Sequence, residues 1–152
     1  MTVEGQRFYP DERATAEQVL HLAREYRQAA EKLVECGRRR EPLSRAPFRM
    51  VAIHAIELYL NALLLAAGRP AGKVRGLHHD LGVRTALAIG VGLRLRKRTV
   101  QHLETLSETR EYLLTRYDPE ASMPSEVNRL LATLTEVSEK VPLWIATSRA
   151  KG

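Results

Sequence analysis

The chain is poor in the features that most often announce a function. It has one cysteine, Cys36, in 152 residues. No intrachain disulfide and no multi-cysteine metal site can form, so a reducing, cytoplasmic location is expected. Aromatic side chains make up only 5% of the residues. That scarcity argues against a β-sandwich, which draws on Val, Ile, Thr and aromatics. The opening stretch MTVEGQRFYPDER lacks the apolar centre of a secretory signal, and none is expected. Uncharged apolar runs of spanning length are missing too. The nearest candidate, Phe48 to Ala67, carries Arg49, His54, Glu57 and Asn61. A charge at mid-helix costs about 2.5–3.5 kcal/mol on membrane insertion. This segment is therefore expected to be a buried core helix, and no membrane partner is expected. Repeats and low-complexity tracts are also lacking.

What is present is the composition of a helical protein. Hydrophobic residues make up 44% and charged residues 28%, with Leu and Ala abundant, which suits a folded domain rich in helix. The length fits one domain, with a core over about residues 12–141. Five segments show helical periodicity. The first runs from about Glu12 to Cys36, with Val19, Leu22, Ala23, Tyr26, Ala30 and Leu33 on one stripe. Thr15 and Gln18 are spaced for a capping box, and Gly37 is placed to stop the helix. The second is Phe48 to Ala67, apolar on most faces, as a central helix would be. RPAGKVRG then reads as a loop, and Asp80 as the N-cap of a third helix reaching Gly90. A fourth spans about Thr99 to Tyr117. A fifth starts near Pro124 and is stopped or kinked at Pro142. Beyond it, Trp144 and Ile145 are placed to dock on the bundle or on a partner. Short connections favour antiparallel neighbours. The expected fold is all-α, a four-helix up-and-down bundle with an additional helix.

The net charge of +6 is unevenly distributed. Residues 38–98 carry 13 bases and 3 acids, a local +10, and each flank carries −2. Two clusters stand out: Arg38, Arg39 and Arg40, and then Arg94, Arg96, Lys97 and Arg98. Such a stretch suits an anionic partner such as RNA or a nucleotide, or equally a solvated basic surface. Without interleaved aromatics, any binding is expected to be electrostatic and blind to sequence.

Three phrases carry a family resemblance. AIELYLNALLLAAGR, from Ala55, resembles the signature helix of HEPN domains. HHDL, from His78, resembles the phrase that opens their next helix. ETREYLLTRYD, from Glu108, resembles the end of their fourth helix. Together these phrases lie within Ala46 to Asp118, about half of the chain. The resemblance implies a helical bundle that commonly forms homodimers. It implies roles in nucleotide binding, in RNA cleavage, and in toxin–antitoxin or defence systems. A separate minimal nucleotidyltransferase is an implied partner, with Tyr117 then a candidate for modification. Catalytic members of the family carry an Arg, four to six residues, a His, and often a Tyr two further on. Here Arg110 and Tyr117 hold the outer positions, and Thr115 stands where the His would be. A threonine hydroxyl does not titrate near neutral pH and cannot replace an imidazole. The resemblance therefore implies an interaction module that has lost the family's proton-transfer group. The alternative is a metal-independent RNase using Arg110 with an unusual partner, or Arg49 with His54, which repeat the Arg-x4-His spacing in helix two.

His54, Glu57 and Asn61 lie at i, i+3 and i+7 and share a helix face. They are candidates for a ligand-binding site, or for a purely structural hydrogen-bond stripe. His54 and Glu57 alone offer too few ligands for a bundle metal site, so no metal or other cofactor is expected. Arg110 falls among Leu103, Leu106, Leu113 and Tyr117 on an apolar stripe. There it needs a bound phosphate or a carboxylate partner, for which Glu57 is the candidate.

Overall fold

The computed structural model describes residues 13–117, 119 and 126–151. Among these residues there are seven α-helices and no strand; a lone bridge joins Arg38 and Glu41. The all-α expectation holds, but the architecture is more broken than a four-helix bundle with one addition.

Helix α1 (Ala16–Leu33) begins with the expected capping box: Thr15 Oγ1 accepts from Gln18 N–H, and Gln18 Oε1 accepts from Thr15 N–H. It runs into a 3-10 turn at Val34–Cys36. Gly37 keeps an ordinary φ of −68° there. Its need is for space, since an added Cβ would stand 2.7 Å from the Arg45 guanidinium. Helix α2 (Ala46–Ala66) is the axis of the molecule, packing against α1, the last helix and the helices between them. Ala52, Ala55, Ile56, Tyr59, Leu60, Ala62, Leu63 and Leu64 are almost wholly enclosed. By length and hydropathy, Pro42–Ala66 passes for a membrane span, yet 67% of its apolar window is buried inside the protein. Most of the helix is thus packed inside the fold, as expected of a core helix.

Gly68, at φ +94°, supplies the left-handed residue that ends α2. The stretch expected to be loop holds a short helix, α3 (Ala71–Arg75), started by Pro70. Helix α4 (Leu81–Gly90) is capped as expected, Asp80 Oδ1 accepting from Val83 N–H at 3.0 Å. The same oxygen accepts from Ser107 Oγ at 2.8 Å, which ties the start of α4 to the end of α5 (Lys97–Glu108).

One expectation fails here, and of the two readings of Pro142, a stop or a kink, the stop fails. The fourth segment is not one helix: Thr109 caps α5, Arg110 adopts φ +52°, and α6 (Glu111–Tyr117) turns back against α2. A left-handed non-glycine residue costs about 1–2 kcal/mol. The turn carries Glu111, only 2% exposed, into the field of the buried Arg49. Pro142 does not stop the final helix, α7 (Val127–Lys151). A proline within a helix forfeits the bond to the carbonyl four residues back. Packing carries α7 through it: Val141 and Ile145 are buried on either side, and Trp144 Nε1–H donates to Val91 O at 3.2 Å. Trp144 and Ile145 thus dock on the bundle itself. Farther along, Arg149 pairs with Glu17, joining the end of α7 to the start of α1. The expected helix start near Pro124 lies outside the described residues.

Candidate functional site

The polar face of α2 assembles as its spacing predicts, and chain from elsewhere completes it. Glu57 is 7% exposed. Its Oε1 lies 3.0 Å from His79 Nδ1 and 3.6 Å from Arg84 Nη2, and its Oε2 lies 3.4 Å from His54 Nδ1. Burial pushes the Glu57 carboxyl up, but the His54 hydrogen bond and the charges of Arg84 and His79 outweigh it and hold the group below its ordinary value. Arg84, 2% exposed, is the counter-ion. Its Nε–H donates to Asn61 Oδ1 at 2.7 Å, and its other nitrogens donate to the carbonyls of Asp80 and Val74. Burial depresses the Arg84 pKa, and the nearby Glu57 and Asp80 charges oppose that.

His54 meets the edge of Tyr26 at 4.7 Å, and His79 lies against Tyr112 at 4.9 Å. The cluster therefore joins α1, α2, α4 and α6 and satisfies its own charges. It floors a groove of about 380 Å³ between α1, α2 and α3, with Leu22, Leu58 and Leu65 on its walls. Among the described residues, no group of three or more His, Cys, Asp and Glu side chains is arranged to hold a metal ion.

The segment matching the family's catalytic phrase is arranged otherwise than expected. Arg110 is exposed at the corner between α5 and α6, off the apolar stripe. Glu57 is not its partner, because that carboxylate is committed to Arg84 and the two imidazoles. Tyr117 is 74% exposed. Thr115 Oγ1–H donates to the Tyr112 carbonyl at 3.3 Å. Arg49 sits in the field of Glu111, and His54 faces Glu57.

The basic residues divide between two places. Arg38, Arg39 and Arg40 are exposed in the turn between α1 and α2, and Arg38 pairs with Glu41. Arg94 is exposed on the connection after α4. Arg96, Lys97 and Arg98 lie at the start of α5, beside α7, along a groove of about 640 Å³. There α7 adds Arg129 and Lys140, which sequence inspection did not connect with the cluster.

At the head of α5 stands Glu136. Its Oε2 accepts from the Arg96 backbone N–H at 2.7 Å and from Lys140 Nζ at 2.6 Å, and its Oε1 accepts from Thr99 Oγ1 at 2.5 Å. Arg129 Nη2 donates to the same Thr99 hydroxyl at 3.3 Å. Burial pushes the Glu136 carboxyl up, yet the bonds from Lys140, Thr99 and the Arg96 amide bring it below its usual range. Behind this site, His102 pairs with Thr133 Oγ1 at 2.7 Å. Burial, helped by the Arg129 charge, pushes the His102 imidazole down to about 4.

No protein-family profile matches this chain, and comparisons with curated proteins and with solved structures return no match either.

Proposed function

We propose that this protein is a HEPN-type interaction module that pairs with a second copy of itself and binds RNA or a nucleotide through phosphate, without cleaving it. One observation carries the binding part. Three cations close together in sequence and two brought by α7 line a single groove and outnumber its two carboxylates, Glu136 and Glu139, so a basic excess lies there in space. The exposed Arg38, Arg39, Arg40 and Arg94 add long-range attraction. Among the described residues no aromatic side chain lines the groove, which suits backbone contacts and disfavours base stacking.

Fluorescence anisotropy of a labelled RNA tests this. With Arg96, Lys97 and Arg98 engaged on a single strand, affinity should fall by roughly 20-fold between 50 and 200 mM salt. Replacing Arg96, Lys97 and Arg98 together by glutamine should remove most of it. No binding at 50 mM salt sinks the reading. Self-pairing draws on the family resemblance and on exposed Met50 and Leu113. Sedimentation that stays monomeric at tens of micromolar, on the scale of a stable dimer, argues against it.

Non-cleavage rests on Thr115, whose hydroxyl hydrogen-bonds a carbonyl of its own helix. The competing reading, a toxin or defence RNase, needs a proton carrier beside Arg110. The exposure of Tyr117 favours one further arrangement, in which a separate nucleotidyltransferase reaches this phenol.

A further inference from the structure

The groove between α5 and α7 already holds an anion of its own. A phosphate site is commonly built from helix N-terminal N–H groups, a hydroxyl and one or two cations. Each of these is present, and each is turned to Glu136: the Arg96 N–H, the Thr99 hydroxyl and Lys140 bond its carboxylate directly. Arg129 joins through Thr99, and its Nε–H is buried without an acceptor. An intruding phosphate must therefore displace a carboxylate of charge −1.

A phosphodiester in a nucleic-acid backbone carries −1 as well, so the exchange gains no charge at this point. A terminal phosphomonoester carries about −1.5 to −2 near neutral pH and offers three acceptor oxygens. Only the monoester brings more charge and more acceptors than it displaces.

We propose that Glu136 is a displaceable internal counter-anion, and that the subsite at the head of α5 selects a terminal phosphate, such as the 5′-monophosphate end of an RNA, over backbone diesters. This rests on the groove binding RNA at all. The flanking Lys97 and Arg98 carry the adjoining backbone, while Lys140, Arg129, Thr99 and the α5 amides take the terminal group. The Glu136 side chain swings out to solvent. The resident carboxylate sets a threshold that either anion must overcome, and the extra charge and acceptor of the monoester are what clear it.

The test compares one RNA oligomer bearing a 5′-hydroxyl with the same oligomer bearing a 5′-monophosphate. It uses the full chain and Glu136→Gln, whose amide oxygen still accepts from the Arg96 N–H and so keeps α5 started. The wild type should bind the phosphorylated end about tenfold more tightly. Glu136→Gln should bind both oligomers more tightly and keep the preference, because the carboxylate opposes either anion alike, with its circular dichroism unchanged. Free AMP should compete at the wild-type groove better than the dinucleoside phosphodiester ApA, which has no terminal phosphate.

Equal binding of the two oligomers by wild type overturns the inference while leaving the RNA-binding reading intact. So does Glu136→Gln binding the phosphorylated oligomer no more tightly than wild type does. Absence of binding to either oligomer at low salt defeats the underlying reading instead.

Discussion

Acid should weaken this fold through one imidazole, and the size of the effect follows from where that imidazole sits. His102 is 6% exposed, bonded to Thr133 across the α5–α7 contact, with Arg129 close by. An unfolded histidine titrates near 6.5, and in the fold this one is pushed down to about 4. Between those values the unfolded chain binds a proton that the native chain refuses. Stability must therefore fall as pH falls through this window, and stay flat with respect to this group above it. At about 1.36 kcal/mol for each pH unit, the whole window is worth about 3 kcal/mol, of which about 1.4 kcal/mol is gone by pH 5.5. Urea unfolding followed by circular dichroism at pH 7.5, 6.5, 5.5 and 4.5 measures it directly. Wild type is compared with His102→Gln, which has no titrating group there and keeps a hydrogen-bonding partner for Thr133. The variant should lose about 1 kcal/mol at pH 7.5 from imperfect packing. It should then hold its stability down to pH 5, so that the two curves cross between about pH 6 and 5.5 and the variant is the more stable below. The buried carboxylates Glu57 and Glu136 have pKa values held low. They contribute stability above the ordinary carboxylate range that is lost only at lower pH. If His102→Gln proves as acid-sensitive as wild type between pH 6.5 and 5, the burial argument is wrong.

Three other outcomes follow from single residues. Arg84→Ala leaves the buried Glu57 without its guanidinium and Asn61 without its donor, and should cost roughly 3–5 kcal/mol in denaturant unfolding. Asp80→Ala removes the cap from α4 and the Ser107 tie, and should lower stability by about 1–2 kcal/mol, read as a drop in Tm. Arg110→Gly should stabilise the protein by up to about 1 kcal/mol, because glycine accepts the left-handed turn without strain; a loss of stability there refutes the strained-corner account.

The sequence makes regular helices legible and hides what depends on distant chain. Thr15 with Gln18, Asp80 and the apolar excess of α2 are local signals, and each yields the feature it predicts. The corner at Arg110 carries no such signal. Neither glycine nor proline stands between Leu106 and Tyr117, and the break is matched by distant contacts, Glu111 near Arg49 and Tyr112 against His79. At Pro142 the local rule is clear and tertiary packing overrides it. His54, Glu57 and Asn61 are recognisable by helical period. Their partners His79 and Arg84 are not, although an arginine inside the apolar run LGVRTALA is a hint of a buried counter-ion. The basic groove is half visible: Arg96, Lys97 and Arg98 are a run in sequence, while Arg129 and Lys140 join only through the fold.

The central place of α2 has a consequence for how the protein is made. Its apolar surface is covered largely by α1 and α7, and α7 is encoded some 80 residues after α2. At ordinary translation speeds of roughly 5–20 residues per second, that interval is about 4–16 s. For that time the nascent chain carries a helix apolar enough to be taken for a membrane span, with half of its cover unsynthesised. Correct production of this bundle is therefore a race between the ribosome delivering α7 and whatever else in the cell binds exposed apolar helices.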